Sequence, residues 1–457
     1  MTAGSDEPRS ILGKRLRSNI VLEDGYALPS ILMLVTILSL VAYSVLALEY
    51  LERKSALLDV ARIKAEHAAQ SGIVCMASEI QVGSLTGSVR EFSLYDGSRA
   101  FVRVVPWGAL YLIESRGVVG KVTATRRATL GARPGKAFSL ALSLGNTSHQ
   151  LILTGDASII GDVAVGPAGV STGQLHGYPT PPFVPIQGKV TNLAARDVPE
   201  VNTERIRFIA NYYRNMLEGI GQSTEMRGSA SSSFTTHPDS LRSIVIPPGS
   251  VITDSIARPY ERLYILCRGN VIVSPRARLV GLITIVSTDS ILIESGANNS
   301  GCVLVAEKGI RARGSFLSSV QFISPKIVLE SGCQVKYPSI VLSIPLDPGA
   351  PSTQSLVISK NVNIEGFVGM FSPRGDDVLD LELGSHVLGA VFSSARLSLD
   401  GDLIGSASTS DLFFYEAPRS YFGWKRAGKI DRPKLPEAFL TAPIFAGNLE
   451  ISVLEWL

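Results

Sequence analysis

The feature that most constrains this chain is a repeat of two short apolar strands between Ile244 and Ile404. The first strand recurs at spacings of 20, 19, 17, 35, 17 and 18 residues, where 35 corresponds to two coils. A second apolar strand, such as GLITIVS or GCVLVA, falls between them. Two strands at constant phase predict a right-handed parallel β-helix, because each coil hides its apolar face only by stacking on the next. The first strands centre on Val271, Ile291, Ile310, Ile327, Val362, Leu379 and Leu397.

A second constraint lies near the amino terminus. From Tyr26 to Leu48 the chain has 23 positions without a charged side chain, and about 20 apolar residues are enough to cross a bilayer. Apolar residues at helical spacing continue without Gly or Pro as far as Ser71, so one helix is predicted from Tyr26 to Ser71. Pro29 falls in its first turn, where a missing N–H leaves no helical hydrogen bond unmade. The sequence therefore predicts a single-pass membrane helix that continues beyond the lipid.

A basic leader of 25 residues precedes this helix and ends in Gly25, which is followed by the aromatic Tyr26. This arrangement resembles the amino terminus of type IV pilins and pseudopilins, in which prepilin peptidase cuts after that glycine. Tyr26 stands where Phe or Met is usual, and Ser30 occupies the fifth mature position, where major pilins carry Glu. Loss of that Glu resembles the minor, K-type pseudopilins and pilus-tip components. The resemblance covers about the first 75 residues.

The resemblance implies a bacterial inner-membrane protein with its leader in the cytoplasm and its carboxy-terminal region in the periplasm or outside the cell. It also implies three partners, namely the lipid bilayer, other pilin-like subunits packed against the helix, and prepilin peptidase acting between Gly25 and Tyr26. The implied role is assembly, or a tip or surface function, in a type IV pilus or a type II secretion-type apparatus. A plain single-pass anchor that is never cut is the alternative interpretation of the same segment.

The expected fold class is mainly β, with one long amino-terminal helix, a right-handed parallel β-helix ectodomain and a small antiparallel β unit. Whether residues 151–240 belong to the solenoid or cover its first coil is left open. Composition divides the chain into a leader at 1–25, the membrane and protruding helix at 26–72, a small pilin-like β unit at 73–150, first coils with a loop and an inserted helix at 151–243, the parallel β-helix at 244–405, and an aromatic cap or tail at 406–457.

Two groups of side chains are candidates for binding. An acidic cluster could bind a cation or a carbohydrate, or act as acid and base on a polysaccharide, although a solvated face beside a turn is the simpler interpretation. An aromatic group in the carboxy-terminal tail is either a cap over the last coil or a partner-binding surface. The acidic cluster is Asp376, Asp377, Asp380 and Glu382, and the aromatic group is Phe413, Phe414, Tyr415, Tyr421, Phe422 and Trp424.

The remaining sequence offers little chemistry. The five histidines have no metal-spaced partners, and no hydrolase, metalloprotease, Walker A or dinucleotide motif occurs. The four cysteines are far apart without a C-x-x-C pair, so no zinc site is expected; buried free thiols are the favoured state, with one bridge among the last three left open. They are Cys75, Cys267, Cys302 and Cys333.

The charge balance bears on the partners. Lys and Arg number 43 against 40 Asp and Glu, a formal charge of +3, which is too near balance for nucleic-acid binding. Because the sequence carries none of the catalytic, metal-binding or nucleotide-binding motifs considered above, no catalytic residue, metal or cofactor is predicted. The protein is expected not to be an enzyme. The alternatives are a membrane-anchored β-helix that binds or acts on polysaccharide, and a scaffold that polymerises through open β-helix ends.

Overall fold

The computed structural model describes residues 27–80, 89–146, 148–193, 198–223, 242–253, 256–347, 353–447 and 450–457. The chain divides into two compact units, Met1–Ile63 and Lys64–Leu457. Helix α1 spans Ala27–Glu79 and a second helix, α2, spans Thr203–Ser223. The predicted leader and the cleavage site at Gly25 and Tyr26 lie outside the described residues.

Within the first unit, the segment of α1 up to Leu48 has an apolar surface. Every large apolar side chain from Leu28 to Leu48 is at least half exposed, and the most apolar window of the helix has a mean hydropathy of 2.6. The hydroxyls of Thr36, Ser39 and Ser44 donate to main-chain carbonyls one turn earlier at 2.7, 2.8 and 2.7 Å. A helix in lipid must satisfy its polar groups internally, and these hydroxyls meet that condition. By length and composition this helix can cross a membrane.

The strands all lie in the second unit, and they form an antiparallel sheet and a solenoid. In chain order the strands of the described residues are β1 Val89–Ser93, β2 Arg99–Trp107, β3 Leu110–Val119, β4 Val122–Ala132, β5 Leu142–Leu144, β6 Leu151–Leu153, β7 Ser158–Ile160, β8 Val163–Val165, β9 Val170–Thr172, β10 Ile186–Gln187, β11 Val190–Asn192, β12 Arg242–Ile246, β13 Ser250–Ile252, β14 Ile256–Cys267, β15 Val271–Val273, β16 Leu279–Ser287, β17 Ser290–Ile293, β18 Asn298–Ala306, β19 Gly309–Ala312, β20 Phe316–Ser318, β21 Gln321–Ser324, β22 Lys326–Leu329, β23 Gln334–Ser343, β24 Ser355–Ile358, β25 Asn363–Met370, β26 Val378–Leu381, β27 His386–Leu399, β28 Asp402–Glu416, β29 Arg419–Phe422, β30 Trp424–Lys425, β31 Lys429–Asp431 and β32 Ile451–Trp456.

The antiparallel sheet, in the order β1-β2-β3-β4-β32, packs one face against the carboxy-terminal turns of α1. The helix presents small residues there, and Ala65, Ala68 and Ala69 are at most 1% exposed. The sheet presents Gly117, where an added Cβ would lie 1.9 Å from the carbonyl oxygen of Ala65. Small residues on both surfaces therefore bring the helix backbone directly onto the sheet. At the rim, Arg126 and Glu66 form an ion pair of 2.7 Å.

The solenoid has about 11 coils, and most coils contribute three short strands to three parallel columns. Column 1 contains β13, β15, β17, β19, β22, β24, β26 and the end of β27. The long strands β16, β18, β23, β25, β27 and β28 each contribute to columns 2 and 3. Their first residues form column 2, the residues that follow form column 3, and the strand bends at a corner between the two. Glycine is required at that corner, because an added Cβ at Gly405 would lie 1.7 Å from the carbonyl oxygen of Gly389, and one at Gly389 would lie 1.8 Å from that of Gly366.

The coils do not stack in chain order. In column 3, Ala407 of β28 pairs with Leu142 of β5, Leu142 pairs with Val163 of β8, and Val163 pairs with Val190 of β11. The carboxy-terminal strands β30 and β31 complete the same coils, since they pair with β6 and with β7. The sequence left open the place of residues 151–240. Their strands β6–β11 belong to the solenoid, and together with β5 they join it beside β28 and not beside β12.

A second core joins the other face of the antiparallel sheet to α2 and to column 3 of the solenoid. Polar contacts fix this junction: the Gly108 amide donates to the Tyr213 hydroxyl at 2.7 Å, and the Ala109 amide donates to Oε1 of Gln321 at 2.8 Å. Nε2 of Gln321 donates in turn to the Trp107 carbonyl at 3.0 Å. The sheet and the solenoid thus share one buried interface within the second unit.

The sequence repeat misplaced one strand. In column 1, Ile327 pairs with Leu356 and Leu356 pairs with Leu379, so the strand assigned around Val362 is not part of that column. Val362 directly precedes β25, whose first residues pair with column 2. The error arose because the chain between Ser343 and Ser355 is longer than the same connection in neighbouring coils. Leu356 therefore follows Ile327 by 29 residues, which does not fit the repeat, whereas Val362 follows it by 35, which fits two coils. The pattern also missed the third strand of each coil.

The expected fold class is confirmed: the protein is mainly β, with one long apolar helix, a β-solenoid and an antiparallel sheet. The handedness of the solenoid and the six segment boundaries remain predictions. Cys75, Cys267, Cys302 and Cys333 are all free thiols, and the last three are buried, so the bridge left open is not formed. Burial raises the pKa of Cys302 to about 12.

Candidate functional site

The four residues of the predicted acidic cluster have separate environments. Asp376 is exposed in a turn, whereas Asp377 is 5% exposed and accepts hydrogen bonds from the Gln354 amide at 3.1 Å and from the Ser372 hydroxyl. Asp377 therefore holds two loops together. Asp380 is half-buried on the outer face of β26, and Glu382 follows it and accepts a hydrogen bond from the Lys360 amide at 3.1 Å. Asp380 and Glu382 thus remain as candidates for binding.

The aromatic group lies mainly on a hairpin formed by β28 and β29, in which Phe413 pairs with Phe422 and Phe414 with Tyr421. The rings of Phe414 and Tyr421 stack at 4.6 Å with an angle of 11° between them. Phe414 is 3% exposed, while Tyr415 at the end of β28 is 61% exposed. Most of these rings therefore pack on each other, and Tyr415 is the one that projects into solvent.

Phe413 and Phe422 attach the hairpin to the coils. The guanidinium of Arg396 lies 5.1 Å from the Phe413 ring centre and 5.2 Å from that of Phe422. The imidazole of His149 stacks on Phe422 at 5.3 Å, and its Nδ1 lies 2.6 Å from Oδ2 of Asp411. These contacts account for two of the six aromatic residues as parts of a structural junction. Trp424 begins β30 and contacts Tyr421 edge-on at 6.1 Å.

The structure brings two residues of the acidic cluster, Asp380 and Glu382, together with part of the aromatic group in one cleft of about 350 Å³. They meet because Leu379 pairs with Leu397, and Leu397 with Leu412, which places three successive coils side by side in column 1. We call this the column 1 cleft. Its polar and aromatic lining is Asp380, Glu382, Ser398, Asp400, Phe413, Phe414, Tyr415 and Arg426.

Carboxylates dominate the electrostatics of the column 1 cleft. Asp400 accepts hydrogen bonds on Oδ2 from Nε and Nη2 of Arg426 at 2.8 and 2.6 Å, and the guanidinium of Arg426 lies 4.6 Å from the Phe414 ring centre. Burial raises the pKa of Asp380, and repulsion from Asp400 and Glu382 acts in the same direction. Three carboxyl groups thus face one arginine, so the cleft favours ligands that donate hydrogen bonds.

Sequence reasoning missed Asp400 and Arg426. The repeat itself carried a signal for Asp400, which follows Glu382 by 18 residues, one coil of the repeat. Arg426 had no such signal, because it reaches the cleft only through the hairpin. The described residues contain no group of three or more His, Cys, Asp or Glu side chains that could hold a metal ion. The geometry suits binding of hydroxyl-rich ligands, through carboxylate acceptors beside an exposed aromatic ring.

The residues predicted to contact lipid lie on α1. Pro29 is in its first turn, and Pro29, Ser30 and Leu48 are all exposed on its surface. Their exposure matches the apolar surface of the surrounding helix.

Comparisons with known proteins give few matches. No protein-family model matches the chain, and no curated protein does so. Among solved structures, the chain is similar to the competence-associated pilin ComZ from Thermus thermophilus, with 12% sequence identity over 87% of this chain and 97% of that chain. The TM-score of that match is 0.21, which is too low to establish a shared fold.

Proposed function

We propose that this chain is a minor pilin-like or pseudopilin-like protein, held in the bacterial inner membrane by α1 and presenting its solenoid to the periplasm or the cell exterior. The observation that carries the proposal is that one uninterrupted helix has two segments with different surfaces. Its residues Leu28–Leu48 are apolar and exposed, and its last turns are buried against the antiparallel sheet through Ala65, Ala68 and Ala69. This combination is what a pilin-like subunit needs.

The work of such a protein is assembly, or a tip or surface function, in a type IV pilus or a type II secretion-type apparatus. The exposed apolar side chains of α1 would pack against lipid before assembly and against other pilin-like helices afterwards. Ser30 in place of Glu at the fifth mature position agrees with a minor subunit, because no carboxylate has to be neutralised inside the lipid. The role requires no catalytic residue.

The processing site provides the test. In membranes from cells with prepilin peptidase, we expect the native chain to begin at Tyr26, and in cells without the peptidase we expect the leader to remain. Gly25→Val should block the cut, since a branched side chain at the cleaved bond obstructs the peptidase. Intact-mass measurement and amino-terminal sequencing report the outcome.

Gly13→Val provides the matched control, because it makes the same change within the leader but away from the cut, and it should be processed normally. Retention of the leader in cells with and without the peptidase would show that the chain is a plain membrane anchor. In that case the pilin-like proposal fails, and a solenoid that binds its own ligand becomes the working hypothesis.

A second candidate function is polysaccharide binding in the column 1 cleft, favoured by the convergence of Asp380, Glu382 and Asp400 with the exposed Tyr415. We expect neutral cell-surface polysaccharides to retard the protein in affinity electrophoresis, and Tyr415→Ala to weaken the binding about tenfold through loss of ring stacking. Tyr95→Ala removes a fully exposed tyrosine elsewhere and should leave binding unchanged. Equal retardation of both variants would contradict this assignment.

A further inference from the structure

A second cavity, of about 260 Å³, lies between the antiparallel sheet and the solenoid. The solenoid corner that lines it is formed by Gly281 and Gly301, which have φ angles of +113° and +70°. We call it the β32 cavity after the strand at its rim. Its lining is Trp107, Leu110, Thr129, Val280, Gly281, Leu282, Ser300, Gly301, Ser319, Gln321, Pro338, Glu455 and Leu457.

An irregularity in β32 directs a carboxyl group into this cavity. Val453 pairs with Leu130, but the next paired residue is Glu455, which lies opposite Thr129, so Leu454 is an extra residue in the ladder. A β-bulge of this kind changes the direction of the following side chains and is common beside binding sites. Glu455 is half-buried as a result, and its Oε1 accepts a hydrogen bond from the Ser319 hydroxyl at 3.2 Å.

Two further observations indicate a missing ligand. Thr129 is 4% exposed and lines the cavity, and its hydroxyl oxygen has no hydrogen-bond partner within the described part of the chain. Buried hydroxyls are normally paired, so an unpaired one needs an explanation such as a bound molecule. Ser319, which contacts Glu455, has a φ angle of +52°, a conformation that non-glycine residues rarely adopt and that concentrates at functional sites.

The chemistry of the lining selects one class of ligand. Of the described residues that line the cavity, Glu455 is the only one with an ionisable side chain, and none of them is basic. The walls are largely apolar: β2 contributes the buried Trp107, and β16 contributes the buried Leu282 and the partly exposed Val280. We propose that the β32 cavity binds an organic amine with an aromatic or branched aliphatic body, whose ammonium pairs with Glu455 beside the Thr129 hydroxyl.

The proposal has a consequence for pH dependence. Burial raises the pKa of Glu455, and the hydrogen bond from Ser319 opposes that effect only in part. An ammonium needs the ionised carboxylate, so binding should be complete at pH values above this raised pKa and should be lost as the pH falls through it. The other groups near Glu455 are the hydroxyls of Ser319 and Thr129 and the phenol of Tyr337. The two hydroxyls do not titrate, and burial raises the pKa of Tyr337 above that of an ordinary tyrosine, so none of the three ionises in the acidic range.

Titration calorimetry with phenethylamine, tryptamine and isoamylamine tests the proposal, using the full chain in detergent at pH 8 with protein-free micelles as the blank. We expect saturable binding of at least one amine, and binding about tenfold or more weaker for its neutral alcohol analogue, which lacks the charge-assisted hydrogen bond. Glu455→Gln should weaken amine binding by a similar factor and leave alcohol binding unchanged.

Glu450→Gln is the matched control, since Glu450 is an exposed carboxylate just before β32 that pairs with Arg133 at 3.5 Å. It should bind the amine as the unchanged chain does. Absence of saturable binding for all three amines would overturn the proposal. Equal affinity for amine and alcohol, or equal amine binding by the Glu455→Gln and Glu450→Gln variants, would also overturn it, because the cavity would then be apolar space without cation recognition.

Discussion

Addition of a single methyl group at Gly117 is expected to separate α1 from the antiparallel sheet. A Cβ at this position would lie 1.9 Å from the Ala65 carbonyl oxygen and 2.6 Å from the Ala69 amide nitrogen. Both are backbone atoms of a helix and cannot move aside by rotating a side chain. Overpacking usually costs about 1–3 kcal/mol, and we expect Gly117→Ala to reach about 3 kcal/mol or more because the whole helix has to shift.

Thermal unfolding of the full chain in detergent measures this effect, and limited proteolysis after residue 80 reports whether the helix has come away from the sheet. Gly135→Ala is the control, since no atom lies within 4 Å of a Cβ added there and its backbone φ of −62° suits any residue. An unchanged melting temperature in Gly117→Ala would contradict this prediction, because it would show that the helix and the sheet can accommodate the added methyl group without loss of stability.

The sequence allowed correct prediction of the elements whose signal is local. The run from Leu28 to Leu48 is apolar on all sides and long enough to cross a bilayer. The sequence therefore predicted a helix whose side chains face lipid, and the structure leaves them exposed. The strands of column 3 between β16 and β27 were also predicted, since each predicted run carries three or more apolar residues in phase with the next. Periodicity is sufficient where a strand stacks on the strand one coil away.

Non-local stacking was not predictable in the same way. The pairing of Ala407 with Leu142 joins residues from opposite ends of the solenoid's sequence, and no repeat spacing records such a contact. The misplaced Val362 has the same cause, because an apolar run says that a strand exists and not which column it joins. Strand alternation correctly directed Asp380 outward from Leu379. Its meeting with Arg426 required the fold of the β28–β29 hairpin, which periodicity does not encode.

The second large effect concerns Lys425, which is 1% exposed at the seam where β30 pairs with β6. Its Nζ donates hydrogen bonds to the carbonyl oxygens of Leu399 and Ala427 at 3.0 and 2.6 Å. Burial lowers the pKa of this ammonium to about 8, although Asp400, Asp402 and Asp156 act in the opposite direction. Burial of this charge could not be predicted from the sequence, because Lys425 lies in an aromatic and basic segment whose charged residues are expected to be exposed.

Since the pKa of Lys425 is lower in the folded chain than the 10.5 of an unperturbed lysine, the unfolded chain binds more protons between about pH 8 and 10.5. Its contribution to stability should therefore rise with pH across that window, by about 3 kcal/mol in total. Lys425→Met removes this contribution, so the free energy of unfolding of the unchanged chain should gain about that amount relative to the variant between pH 7 and 10.5.

The comparison with a variant is necessary because other groups act in the opposite direction at alkaline pH. Burial raises the pKa of Tyr213, Cys302 and Cys333, so these residues ionise first in the unfolded chain and reduce stability as the pH rises. Their effect is common to both proteins and cancels in the difference. Lys308→Met, at a lysine whose side chain is 71% exposed, should give no such pH-dependent difference in chemical denaturation. Parallel pH profiles for Lys425→Met and the unchanged chain would mean that the buried ammonium is as well solvated as one in water.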